Sequence, residues 1–76
     1  MSIRAHLSNA YVFFGPEAVQ AMSTAFELSC ADLRVFAGDQ RGREIIATRI
    51  IDLARNGVID AATLHRRVMA EARLSA

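Results

Sequence analysis

The chain has 76 residues, of which 53% are apolar, and a formal net charge of +1. A chain of this length holds one small domain and buries only about 60% of the surface that its unfolded form exposes. This size excludes a multidomain enzyme, a doubly wound cofactor domain and a large catalytic cleft. A net charge this close to zero gives no field that implies nucleic acid or a membrane surface.

Arginine supplies all nine cationic side chains, and they are unevenly distributed: residues 1–40 carry a net charge of −2 and residues 41–76 a net charge of +3. Cys30 is the single cysteine, so it has no disulfide partner within these 76 residues, and we expect a reducing compartment. Its apolar neighbours favour a core position over a nucleophilic role. No apolar run approaches 18 residues, so we predict no membrane span and a cytoplasmic location.

The first 14 residues are predicted to form an N-terminal arm, followed by a single three-helix domain over residues 15–76. Apolar and polar residues alternate at the start of the arm, and an aromatic cluster ends it. Such a segment is ordered only when other parts of the molecule hold it. The pattern fits an extended segment, a frayed tail or a short strand.

The first helix is predicted to start at Gly15-Pro16-Glu17, because Gly is an acceptable N-cap, Pro suits the first helical position and Glu suits the positive end of the helix dipole. Gly38 is predicted to end it shortly after Phe36. Apolar side chains then recur at helical spacing and predict the core face: Val19, Met22, Phe26, Cys30, Leu33 and Phe36.

A second apolar stripe lies beside this face and contains Ala18, Ala21, Ala25 and Leu28. The predicted helix is about 31 Å long, whereas a compact globule of this chain length is only about 29 Å across. Burying both stripes requires either two helices of the same chain or a second subunit. The stripe is therefore a candidate subunit interface.

The second helix is predicted over residues 40–56, with Asp39 as its N-cap. One arc of the helix is apolar and the opposite arc is polar, but Ile45 lies among the polar residues. We expect Ile45 either to be covered by the arm or to belong to an interface. Asn56-Gly57 is predicted to end the helix, with Val58 making the apolar contact that accompanies such a cap.

Asp60 is predicted to cap a third helix over residues 61–73. Its predicted inner face consists of Ala61, Leu64, Val68 and Ala72. Arg67 and Glu71 are spaced to pair across one turn. Arg66, Arg67 and Arg73 are the candidate contacts for nucleic acid if this helix binds it.

The sequence matches motifs for binding metal, phosphate or DNA only in part. Residues 52–63 match part of an EF-hand loop but lack the glutamate needed at its last position. His6, Cys30 and His65 have no metal-ligand spacing, so no metal and no cofactor are predicted. Helices two and three have the outline of a helix-turn-helix, but Leu53 stands where the usual pattern has a small residue.

Three stretches of the chain together resemble a group of short proteobacterial proteins of unassigned activity. They are Phe14-Gly15-Pro16-Glu17, Ala25-Phe26, and Ile46 to Gly57 followed by Asp60 and Leu64. The resemblance covers about residues 13–70, and the chain departs from it at Val58-Ile59, where a more polar pair is expected. It implies a helical fold and assigns no functional residue.

The sequence therefore predicts an all-α domain of three helices, bundle-like or orthogonal, with a long first helix. The leading function is a non-enzymatic protein–protein interaction module whose partner is itself, as a homodimer, or another protein, with no membrane partner. Its candidate interface residues are Tyr11, Phe13, Ala18, Ala21, Ala25, Leu28 and Ile45. The alternative is a small DNA-binding or transcription-regulatory protein that uses the arginines of the third helix. A small enzyme with an anion site at Arg41, Arg43 and Arg49 is the third and weakest reading.

Overall fold

Three helices make up the part of the chain that the computed structural model describes, which is the backbone of residues 10–75 and the side chains of residues 14–74. They are α1 (Ala10–Asp32), α2 (Gln40–Arg55) and α3 (Ala61–Ser75), and each packs against the other two. Residues 10–75 contain no β-strand. The predicted all-α fold of three helices is thereby confirmed.

Gly15 interrupts α1 with a sharp kink. Its backbone has φ 78° and ψ 168°, a conformation that residues with a Cβ adopt only under strain. Pro16 then starts the main part of the helix, as predicted from the sequence. Residues 10–14 are helical although they were assigned to the arm, and Phe14 packs against the core. Residues 1–9 of the arm lie outside the described residues.

The prediction that α1 continues to Phe36 is wrong. The helix ends at Asp32 in a Schellman motif, in which the Val35 N–H donates to the Cys30 carbonyl at 2.8 Å. Arg34 takes the left-handed position that glycine usually fills, with φ 56°. Phe36 is consequently 70% exposed rather than part of the core. The straight segment over residues 16–32 is about 26 Å long, which is shorter than the globule diameter of about 29 Å. Helix length therefore gives no reason to expect a second subunit.

Replacing Arg34 with glycine is expected to stabilise the fold by about 1 kcal/mol, because a side chain in the left-handed region carries a steric cost that glycine does not. Urea unfolding monitored by circular dichroism measures the change. Arg34→Ala is the control, since it removes the charge but keeps the Cβ, and it should stay close to the wild type. Equal stability of the two variants would contradict this explanation.

The boundaries of α2 and α3 follow the predicted capping chemistry. Asp39 Oδ1 accepts from the Gly42 N–H at 2.9 Å, and Asp60 Oδ2 accepts from the Thr63 N–H at 2.8 Å. Gly57 has φ 95° and ends α2, while Val58 turns back onto the core. Both N-caps and this C-cap are confirmed.

The core lies where the three helices meet. Its largest fully buried side chains are Phe26 and Met22 of α1, Ile50 of α2 and Leu64 of α3. Cys30 is also buried there, and burial raises the pKa of its thiol. The cysteine is therefore a core hydrophobe, as predicted. Among the described helices, none combines the length and apolar character that crossing a bilayer requires.

Candidate interaction groove

A surface groove of about 460 Å³ lies between α2 and α3. We call it the α2–α3 groove. Its inner wall contains buried Ile46 and Val68, and half-buried Leu33 closes one side. The remaining lining residues are Ile45, Arg49, Glu71, Ala72 and Leu74. The groove is thus mainly apolar, with one cation and one anion.

Two large apolar side chains of the groove are exposed to solvent. Ile45 is 55% exposed and Leu74, in the last turn of α3, is 87% exposed. A single exposed apolar residue is common on a protein surface, whereas these two lie beside the same apolar recess. The sequence singled out Ile45 by its place among polar residues. Leu74 was missed because the third helix was predicted to end at residue 73.

Arg49 and Glu71 form a two-pronged ion pair that joins α2 to α3. The Arg49 Nε donates to Glu71 Oε2 at 2.9 Å, and its Nη2 donates to Oε1. The Arg49 guanidinium lowers the pKa of the Glu71 carboxyl, and the charge of Arg67 lowers it further. The sequence predicted only Arg67 as a partner of Glu71. The groove therefore carries a charged pair whose two members come from different helices.

We expect the contribution of this pair to stability to disappear in acid. The pKa of Glu71 is lower in the folded chain than its ordinary value of 4.5, so the unfolded chain binds the extra proton more readily. The contribution is complete above about pH 4.5 and is lost as the pH falls through the lower, folded pKa. Urea unfolding should show wild type more stable than Glu71→Gln at pH 7, with the gap closing as the pH is lowered below 4.5. A gap that persists in acid would rule out the ion pair as its source.

Two of the four residues in the predicted α1 stripe are buried within the chain itself. Ala18 is 7% exposed and Ala25 is fully buried, so a second chain cannot contact Ala25 without unfolding the core. Both residues are therefore withdrawn from the candidate interface. Ala21 is half-buried and Leu28 is 45% exposed, so this part of the stripe is accessible. The side chains of the other two candidates, Tyr11 and Phe13, lie outside the described residues.

The arginines proposed for anion binding do not form one site. Arg43 lies over the Phe26 ring, with its guanidinium carbon 4.8 Å from the ring centre. Arg49 is held by Glu71, and Arg41 is exposed at the start of α2. Arg43 and Arg49 are therefore each engaged with a different residue of the chain.

On α3, Arg66, Arg67 and Arg73 are all exposed. Arg66 and Arg73 are seven residues apart and share one face of the helix. The Arg66 Nη2 donates to Thr63 Oγ1 at 3.2 Å. These side chains are accessible to a phosphate backbone, but they are too few to form an extended basic stripe.

Within the described residues, no three His, Cys, Asp or Glu side chains lie close enough together to hold a metal ion. His65 Nε2 lies 2.6 Å from Asp32 Oδ2 and links α3 to the end of α1. His6 lies outside the described residues.

No family model, curated protein or solved structure matches the chain. The resemblance to short proteobacterial proteins accordingly stays a prediction.

Proposed function

We propose that this protein is a non-enzymatic interaction module that associates with a second copy of itself. The observation that carries the proposal is the α2–α3 groove, where Ile45 and Leu74 leave apolar surface exposed beside an apolar recess. Removing such surface from water is the main favourable term in protein association. An interaction role explains why Ile45 and Leu74 are exposed beside the groove.

The strength of the association follows from the size of this patch. Fully burying one Leu or Ile side chain contributes about 1.5–3 kcal/mol, and a symmetric dimer buries each of them twice. Association itself costs at least about 4 kcal/mol in lost translational and rotational freedom. We therefore expect a dimer that dissociates on dilution rather than a permanent one.

Light scattering during size-exclusion chromatography over a concentration series tests this proposal. A mass that rises toward twice 8.3 kDa with concentration supports self-association. Ile45→Glu should then give a folded monomer, with Ile59→Glu as the matched control. Ile59 is 53% exposed and does not line the groove. A wild type that stays at 8.3 kDa at every concentration rejects the proposal.

DNA binding through α3 is the second candidate, because Arg66 and Arg73 are both exposed on one face of the helix. It predicts binding to duplex DNA that weakens steeply as salt is raised. The double variant Arg66→Ala/Arg73→Ala should weaken this binding, whereas Arg41→Ala, an exposed arginine on α2, should change it little. Absence of binding by the wild type at low salt would exclude this candidate.

A further inference from the structure

Resting on the proposed self-association, we propose that the groove is occupied by the last turn of α3 from the second copy, with Leu74 inserted between α2 and α3. Across the same contact, Arg49 of each copy faces Glu71 of the other. The two copies are related by a twofold axis, so both grooves are filled at once.

The arrangement of apolar groups favours a second copy as the occupant. A twofold interface uses the same patch on both subunits, so this patch must contain both a projecting group and a recess that accepts one. The groove provides the recess, and Leu74, 87% exposed at its edge, provides the projecting side chain. Leu74 is also the most exposed of the large apolar side chains on the described surface.

The groove also carries both signs of charge. Arg49 and Glu71 lie side by side in the groove with side chains 48% and 37% exposed. A twofold axis that passes between the two side chains brings the cation of one copy opposite the anion of the other. A polyanion or an acidic peptide in the same groove would instead lie against the Glu71 carboxylate. The pair of opposite charges therefore favours a second copy as the occupant.

The exposed part of the α1 stripe differs from the groove. Leu28 on α1 is also exposed, at 45%, but it does not line the groove, and its neighbour in the stripe, Ala25, is fully buried. That face of α1 thus offers Leu28 with the half-buried Ala21 of the stripe, and neither residue lines the groove. It serves as an internal comparison for the experiment.

Substitution of the apolar groups tests the location of the contact. We expect Leu74→Glu to raise the dimer Kd at least about 100-fold, because each dimer loses two buried leucines and would bury two carboxylates. Leu28→Glu should leave the Kd within about threefold of wild type. If Leu28→Glu gives a monomer and Leu74→Glu does not, self-association stands and the groove is the wrong surface. A wild type that is monomeric at every concentration rejects the proposed function itself.

A charge exchange tests the orientation of the two copies. Chains with Arg49→Glu alone, or with Glu71→Arg alone, should be monomeric because like charges would face each other across the axis. Mixing the two single variants should restore the dimer, since every facing pair is then opposite in charge. The double variant Arg49→Glu/Glu71→Arg should dimerise by itself and shows that the substitutions permit folding.

The mixture tests the contact between copies and not the Arg49–Glu71 ion pair within one chain. Neither single variant regains the pair within its own chain when the other variant is added. Failure of the mixture to dimerise, with a dimeric double variant, would overturn the facing of Arg49 and Glu71. Nuclear Overhauser contacts between Leu74 and residues 1–9 in a monomeric wild type would identify the arm as the occupant and overturn the inference.

Discussion

Replacing Arg43 with alanine is expected to lower the free energy of unfolding by about 2 kcal/mol, although the residue is charged and lies in the first turns of α2. Its side chain is only 12% exposed and covers Phe26, with the guanidinium carbon 4.8 Å from the ring centre. The cation over the ring contributes roughly 0.5–2 kcal/mol. Its aliphatic stem adds packing over Phe26, which is fully buried in the folded chain. The nearby Glu27, at 3.8 Å and mostly exposed, adds little.

Two further variants separate these contributions in urea unfolding. Arg41→Ala removes an exposed arginine two residues earlier, so its effect should stay within about 0.5 kcal/mol. Arg43→Met keeps an unbranched apolar stem and removes the cation, so about half of the loss should be recovered. If Arg43→Ala behaves like Arg41→Ala, then Arg43 does not stabilise the core. If Arg43→Met equals the wild type, packing alone accounts for its role.

Local capping chemistry made most of the fold predictable. Asp39, Gly57 and Asp60 end or begin helices through hydrogen bonds and backbone conformations that depend on the residue itself and its near neighbours. The end of α1 was not predictable in this way, because Arg34 fills a position that usually contains glycine. There the chain turns because Val35 packs against the core, which is a tertiary contact without a local sequence signal.

The candidate site was predictable only in part, for a related reason. Ile45 departs from the amphipathic pattern of its own helix, so a single helix is enough to find it. The Arg49–Glu71 pair joins residues 22 positions apart and depends on how α2 and α3 cross. The burial of Ala18 and Ala25 in the α1 stripe was not predictable for the same reason. Small residues indicate close packing, but they do not say whether the neighbouring helix belongs to the same chain.

Replacing Gly42 with alanine is expected to destabilise the fold by about 2 kcal/mol, opposite in sign to the usual effect. In an ordinary helix interior this change stabilises by about 1 kcal/mol. Here the new Cβ would lie 2.6 Å from Asp39 Oδ2 and 2.9 Å from Val35 Cγ1. Relieving the first contact moves the N-cap carboxylate, which costs about 1 kcal/mol when lost. Relieving the second disturbs the turn that ends α1.

Gly38→Ala is the matched control, because its Cβ would meet no atom within 4 Å and its φ is not left-handed. That change should be neutral or stabilise by about 0.5 kcal/mol by restricting the unfolded chain. Urea unfolding of Asp39→Ala, Gly42→Ala and the double variant then shows which of the two contacts destabilises Gly42→Ala. Removing the Asp39 carboxylate relieves the closer clash, so the double variant should lose about 1 kcal/mol less than the sum of the two single changes. If the losses of the two single variants simply add in the double variant, the clash with Val35 causes the destabilisation instead. The end of α1 and the start of α2 would then be coupled through Val35.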